Sequence, residues 1–168
     1  ADAGETVPRR VVRTKRDRMT LAAAVPRKGT GEFVVQRVVA FLKEIGIEKL
    51  DVIVKSDQEP AIKSVVDEVG KAKAALGGRW IVESSPVGSH ASNGVVERGI
   101  QSVEGQVRVL KSALEARWGV KIKAKDSVVP WMMEYAAYLL NRFEVGHDGK
   151  TAYERCKRKK ARCAGIEF

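Results

Sequence analysis

Apolar residues recur along this chain with two periods, and the switches between them outline its elements. Residues 9–14 (RRVVRT) and 19–25 (MTLAAAV) are short extended runs either side of a charged stretch, Lys15 to Arg18. That pattern predicts a β-hairpin with one exposed, basic edge. PRKGTGEF then opens a helix near Thr30 or Gly31; Val34, Val38, Phe41, Leu42 and Ile45 fall on one helical stripe, and Gly46 supplies a stop. LDVIVKS at 50–56 is apolar and β-branched, as expected of a buried parallel strand. A helix from about Glu59 to Ala75 follows, with Pro60 in its first turn and Ile62, Val65, Val66 and Val69 on its core face. Gly77-Gly78 closes that section, and RWIVES reads as the next strand.

Beyond it, Ile81 to Leu110 reads as a strand end, a loop of Ser, Pro, Gly, His and Asn, and a long helix. Asn93 is the expected N-cap, because its side chain can accept from a first-turn amide. The helix continues from Gly94 to about Trp118, although Gly99 and Gly105 weaken its regularity. A last long helix over 127–143 carries Trp131, Met132, Tyr135, Leu139 and Leu140, an aromatic-rich face expected to be core or a dimer contact rather than a base-stacking platform. Strands alternating with helices after a hairpin predict an α/β fold: a mixed sheet of antiparallel hairpin plus parallel strands, flanked by helices.

Composition narrows the partner. The 168 residues are one domain's worth, and 44% hydrophobic with 31% charged content is ordinary for a globular fold. No apolar run approaches the ~20 residues of a membrane span, and no signal-peptide pattern opens the chain. The formal charge of +10, with a pI near 9.8, favours a polyanionic partner. Its sources cluster at the two ends: Arg9, Arg10, Arg13, Lys15, Arg16 and Arg18, then Arg155, Lys157, Arg158, Lys159, Lys160 and Arg162. Such runs also serve as plain solvated faces. Cys156 and Cys163 have no zinc-knuckle spacing and do not pair with His90 or His147 as ligands, so reduced thiols in an intracellular protein are expected.

Two acids stand out by position. Asp57 ends the apolar run LDVIVKSD, and Glu97 falls in the first turn or so of the long helix. Acids delivered to loops by separate elements suit a divalent-cation site. The same residues equally suit a strand-end turn and a helix-start carboxylate favoured by the dipole. His90 reads as an exposed or DNA-contacting residue and Asn93 as a cap that could also meet a nucleotide. Arg98 and Arg108 read as phosphate contacts or simple surface charge.

SSPVGSHASNGVVERGIQ resembles the loop-and-helix segment bearing the last acid of retroviral and copia-type retrotransposon integrase cores, and VKSDQE resembles the strand end bearing their second acid. The tail HDGKTAYERCKRKK resembles the end of the copia core. The match is specific around NGVVER and looser at SDQE. It implies a ribonuclease-H-like fold over residues 1–150, with 151–168 a basic segment leading to a further domain. It also implies Asp57 and Glu97 as catalytic ligands of Mg²⁺ or Mn²⁺, and metal-dependent phosphoryl transfer joining element cDNA 3′ ends to target DNA. Arg13, Lys15, Arg16, His90, Asn93 and Arg98 become the nucleic-acid contacts, positioning phosphates rather than reading bases. DNA is the implied partner, with a homo-oligomeric parent, no membrane, and an intracellular protein acting in the nucleus.

In the resembled family the first acid lies on a central strand ahead of the hairpin, which aligns before residue 1; Asp2 is the one acid near enough to stand in. The expectation is an N-terminally truncated core, inactive as a fragment. Two unpaired strand edges would leave it marginal or misfolded. A catalytically silent nucleic-acid-binding remnant of a retroelement is the alternative, and a ribonuclease H or resolvase relative a third reading.

Overall fold

The computed structural model describes residues 9–25, 31–56, 59–84 and 90–162. Strands β1 (Arg9–Arg13) and β2 (Thr20–Ala24) are followed by α1 (Glu32–Ile45), β3 (Val52–Ser56), α2 (Pro60–Ala74) and β4 (Trp80–Ser84). Three helices complete the order: α3 (His90–Trp118), α4 (Val128–Phe143) and α5 (Ala152–Lys157). The chain divides into two compact units: residues 1–27 with 96–168, and residues 28–95. The boundary falls inside α3.

In the first unit β1 and β2 form the expected antiparallel hairpin, in register from Arg9 opposite Ala24 to Arg13 opposite Thr20. Thr14 closes the turn twice: its amide donates to the Met19 carbonyl (2.9 Å) and its hydroxyl accepts from the Met19 amide (3.0 Å). All five residues of β2 are buried. Ala22 and Ala24 join Val103, Leu110 and Leu114 of α3, Ile122, and Met132, Met133, Tyr135, Ala136 and Ala137 of α4 in one apolar core.

The outer edge of β2 is plugged by a side chain. Buried Asn141 accepts from the Thr20 amide (2.8 Å) and donates to the Thr20 carbonyl (2.7 Å), as a neighbouring strand would. Trp131, Tyr135 and Tyr138 stack along α4 with centroids 4.9 and 5.8 Å apart, and the Arg142 guanidinium lies 3.8 Å above the Tyr138 ring. Met132 and Tyr135 are core residues, as expected, whereas Trp131 keeps 41% of its surface exposed.

In the second unit β3 and β4 pair in parallel, Val52 opposite Trp80 through Ser56 opposite Ser84. The α1 stripe of Val34, Val38, Phe41, Leu42 and Ile45 is buried residue for residue, and Gly46 ends the helix in the left-handed region at φ 78°, where its lack of a Cβ removes the steric penalty. β3 departs from expectation: it alternates, and Ile53 is 59% exposed beside its register partner Ile81. Helix α2 packs on the pair, and a strand covered from one side keeps period-two burial. Of the predicted α2 core face only Val69 is fully buried, joined by Lys73, whose Nζ donates to the Leu50 (2.6 Å) and Gly77 (2.9 Å) carbonyls.

The hairpin and the parallel pair are both present, but among the described residues they are two separate two-stranded sheets rather than one joined mixed sheet. Asp2 lies outside the described residues. No helix among them is long and apolar enough to cross a membrane.

Candidate nucleic-acid interface and metal-ligand residues

Side chains alternate along a strand, so Arg9, Val11 and Arg13 share one face of β1 and Arg10 and Val12 the other. Val11 packs on the core. Its two arginine neighbours therefore also turn inward, onto α3: Arg9 pairs with Glu104, and Arg13 lies across the helix backbone at Gly99. A Cβ added at Gly99 would sit 2.9 Å from Arg13 Cδ and 3.4 Å from its Nη1, so this interior helical glycine admits the arginine. What weakened the helix prediction at Gly99 is thus a packing device.

The Arg13 side chain is half-buried and its Nε is inaccessible, with no hydrogen-bond partner. Burial pushes its guanidinium below the usual arginine range; Glu144 opposes that, while Arg18, Arg98 and Arg155 add like-charge repulsion. Lys15, Arg16 and Arg18 are exposed in the turn, and Arg98 is exposed on α3. Arg16 lies 3.8 Å from Asp17. Arg13 is thus set beside Gly99, the residue that follows exposed Arg98. Arg18 and Arg155, far apart in the sequence, both act on Arg13 electrostatically.

Arg155 is fixed by its own module. Its Nε and Nη2 donate to the Asp148 carboxylate at 2.9 and 2.7 Å, and Nη2 also donates to the Lys150 carbonyl. Val145 and Thr151 form a β-bridge below it, and Thr151 caps α5 in a reciprocal box with Glu154. This short helix was missed by apolar periodicity; the T-x-x-E spacing was its legible signal. The Asp148 hydrogen bonds to Arg155 hold its carboxyl well below the ordinary carboxylate range, against a smaller opposing effect of burial. A depressed folded-state pKa contributes stability that is fully present above the unfolded value, near pH ~4, and is lost as pH falls further. Asp148→Asn should therefore lower thermal stability modestly at neutral pH, converge on wild type as the pH falls below about 4, and so show a flatter acid limb. Parallel melts across pH check this. Identical acid limbs would refute it.

The two acids fare differently. Glu97 is exposed on α3, within the first unit. Because α3 begins at His90, Asn93 lies inside the helix rather than at its N-cap, and Glu97 sits past the first turn. His90, Ala91 and Ser92 include no helix breaker, so the helix extends back through them. Asp57 lies outside the described residues, as does Cys163; Cys156 is half-buried on α5. Among the described residues no group of three or more His, Cys, Asp and Glu side chains converges. A single exposed carboxylate does not make a two-ion site, so the described residues alone do not fit an ion pair.

No protein-family model matches this sequence, and no curated protein matches it. The structure is similar to the catalytic core domain of BIV integrase, with a TM-score of 0.62 and 17% identity over 88% of this chain and 84% of that one. It is also similar to a chain of the simian T-cell lymphotropic virus intasome in complex with the PP2A regulatory subunit B56 gamma, with a TM-score of 0.64 and 16% identity over 95% of this chain and 51% of that one. The chain thus spans about half the length of the second. At these identities the likeness establishes the fold, an integrase-core-like mixed α/β architecture.

Proposed function

We propose that this chain is the catalytic core of a transposable-element integrase, of copia type, whose chemistry is metal-dependent transfer of element cDNA 3′ ends to target DNA. The observation that carries the reading is the placement of NGVVER on α3 of an integrase-core-like fold, with Glu97 turned outward. Asp57 and Glu97 are the proposed ligands of Mg²⁺ or Mn²⁺. Bound ions of this kind activate an attacking hydroxyl and stabilise a leaving oxygen. The chain's own part is to present carboxylates and to hold DNA phosphates with Arg13, Lys15, Arg16, His90, Asn93 and Arg98. DNA is the proposed partner and a homo-oligomer the working form.

A catalytically silent nucleic-acid-binding remnant is the second reading, which the net charge of +10 would serve equally well. Two measurements separate them. Mn²⁺ binding, followed by solvent-proton relaxation, should weaken by at least about tenfold in Glu97→Gln and in Asp57→Asn, since losing even the outer hydrogen-bond partner of a ligand costs ~10–100-fold. Binding indifferent to both substitutions sinks the metal assignment. In a Mn²⁺ strand-transfer assay on short duplexes, product that disappears in Glu97→Gln supports the enzyme, and salt-sensitive DNA binding without product supports the remnant.

A further inference from the structure

Arg13 is an energetic anomaly in the first unit. A guanidinium that is partly desolvated, with Nε inaccessible and unbonded, costs free energy that a surface arginine avoids. The fold does not relieve it by moving the side chain out. It omits a side chain at Gly99 to let it in, next to exposed Arg98, and the adjoining hairpin turn carries exposed Arg18, whose charge also repels it.

The neighbouring acids compensate the surrounding arginines only in part, and mostly at Arg155, on which Asp148, Asp17 and Glu144 all act. Asp148 is taken up by two hydrogen bonds from Arg155, and Asp17 lies nearest Arg16. Glu144 alone acts on Arg13 in the opposite sense. Arg18 is in addition held at φ 64°, a left-handed conformation that non-glycine residues seldom adopt, with its carbonyl accepting from the Thr20 hydroxyl at 3.2 Å. Strain and like-charge crowding persist together where a ligand repays them.

We infer that Arg13, Arg18 and Arg98 form a clamp for one phosphate of a nucleic-acid backbone, seated beside Gly99 where α3 crosses β1. The inference rests on the reading of DNA as partner and deepens it by placing the contact at one defined locus on the hairpin and α3. Guanidinium groups suit the task because their fork of donors matches phosphate oxygens, which a lysine meets as a point charge.

The test uses the full chain, a mixed-sequence DNA duplex of ~20 base pairs and fluorescence anisotropy over a salt series. Arg18→Ala and Arg98→Ala alter exposed side chains, and their thermal melts should match wild type. Each should weaken binding severalfold and make the slope of log K against log salt shallower by about one. Lys71→Ala, in the other unit and paired with Glu68, should leave the slope unchanged. Arg98→Lys should restore the slope but only part of the affinity. If wild type binds steeply with salt and both alanine variants keep its slope and affinity, the clamp is refuted while the DNA reading stands. If wild type shows no salt-dependent binding, both fall.

Discussion

Asn141→Ala is expected to be the most destabilising polar substitution in the first unit, by about 2–5 kcal/mol, since it leaves a buried amide and a buried carbonyl of Thr20 without partners. Against a typical total of ~5–15 kcal/mol, that is a large share. The outer edge of β2 has no further strand among the described residues, so the carboxamide is what satisfies it there. Asn141→Leu keeps the volume and removes the hydrogen bonds, which separates edge satisfaction from cavity formation. Urea denaturation should show the leucine variant nearly as unstable as the alanine one. A leucine variant as stable as wild type would falsify the edge-plug role.

A second large effect is expected at Lys73, the most deeply buried charged side chain among the described residues. Its stem passes through the second unit and its ammonium ties the carbonyl of Leu50, just before β3, to that of Gly77, just after α2. Beside it Asp51 receives the Arg79 amide and Nε, both at 2.8 Å, so the start of β3 and the approach to β4 are pinned in one knot. Lys73→Met preserves the stem and deletes the donor, at a cost of about 2–4 kcal/mol. Hydrogen exchange should quicken most at Leu76–Gly78 and at Val52, whose amide donates to the Arg79 carbonyl. Uniform protection in the variant would mean that the knot does not depend on the ammonium.

Lys73 also marks where sequence reasoning stops. A lysine reads as surface because isolated charge is costly to bury, and nothing local says that two carbonyls await it. The α1 stripe was fully legible because periodic burial of aliphatic residues is a local signal. Both strand pairs were legible for the same reason, β3 only in outline, since whether one or both of its faces are covered depends on tertiary packing. Asn93 misled because a good capping residue competes with good helix formers just ahead of it, and the helix ran past it. At the candidate site, the sequence singled out Arg13 and Arg98 individually. The seat of Arg13 against Gly99 arises from the hairpin packing on α3, which no local pattern reveals. Asp57, the other half of the acid pair, lies outside the described residues.

The seam between β2 and α4 has a consequence of its own. Ala22 and Ala24 on the strand share a core with Ala136 and Ala137 on the helix, all of them buried, so close approach there depends on side chains being short. Truncation mutagenesis has almost nothing to remove at these positions and would pass over the seam as inert. Its importance shows only when a methyl is enlarged, because a well-packed interior resists growth about as firmly as it resists loss.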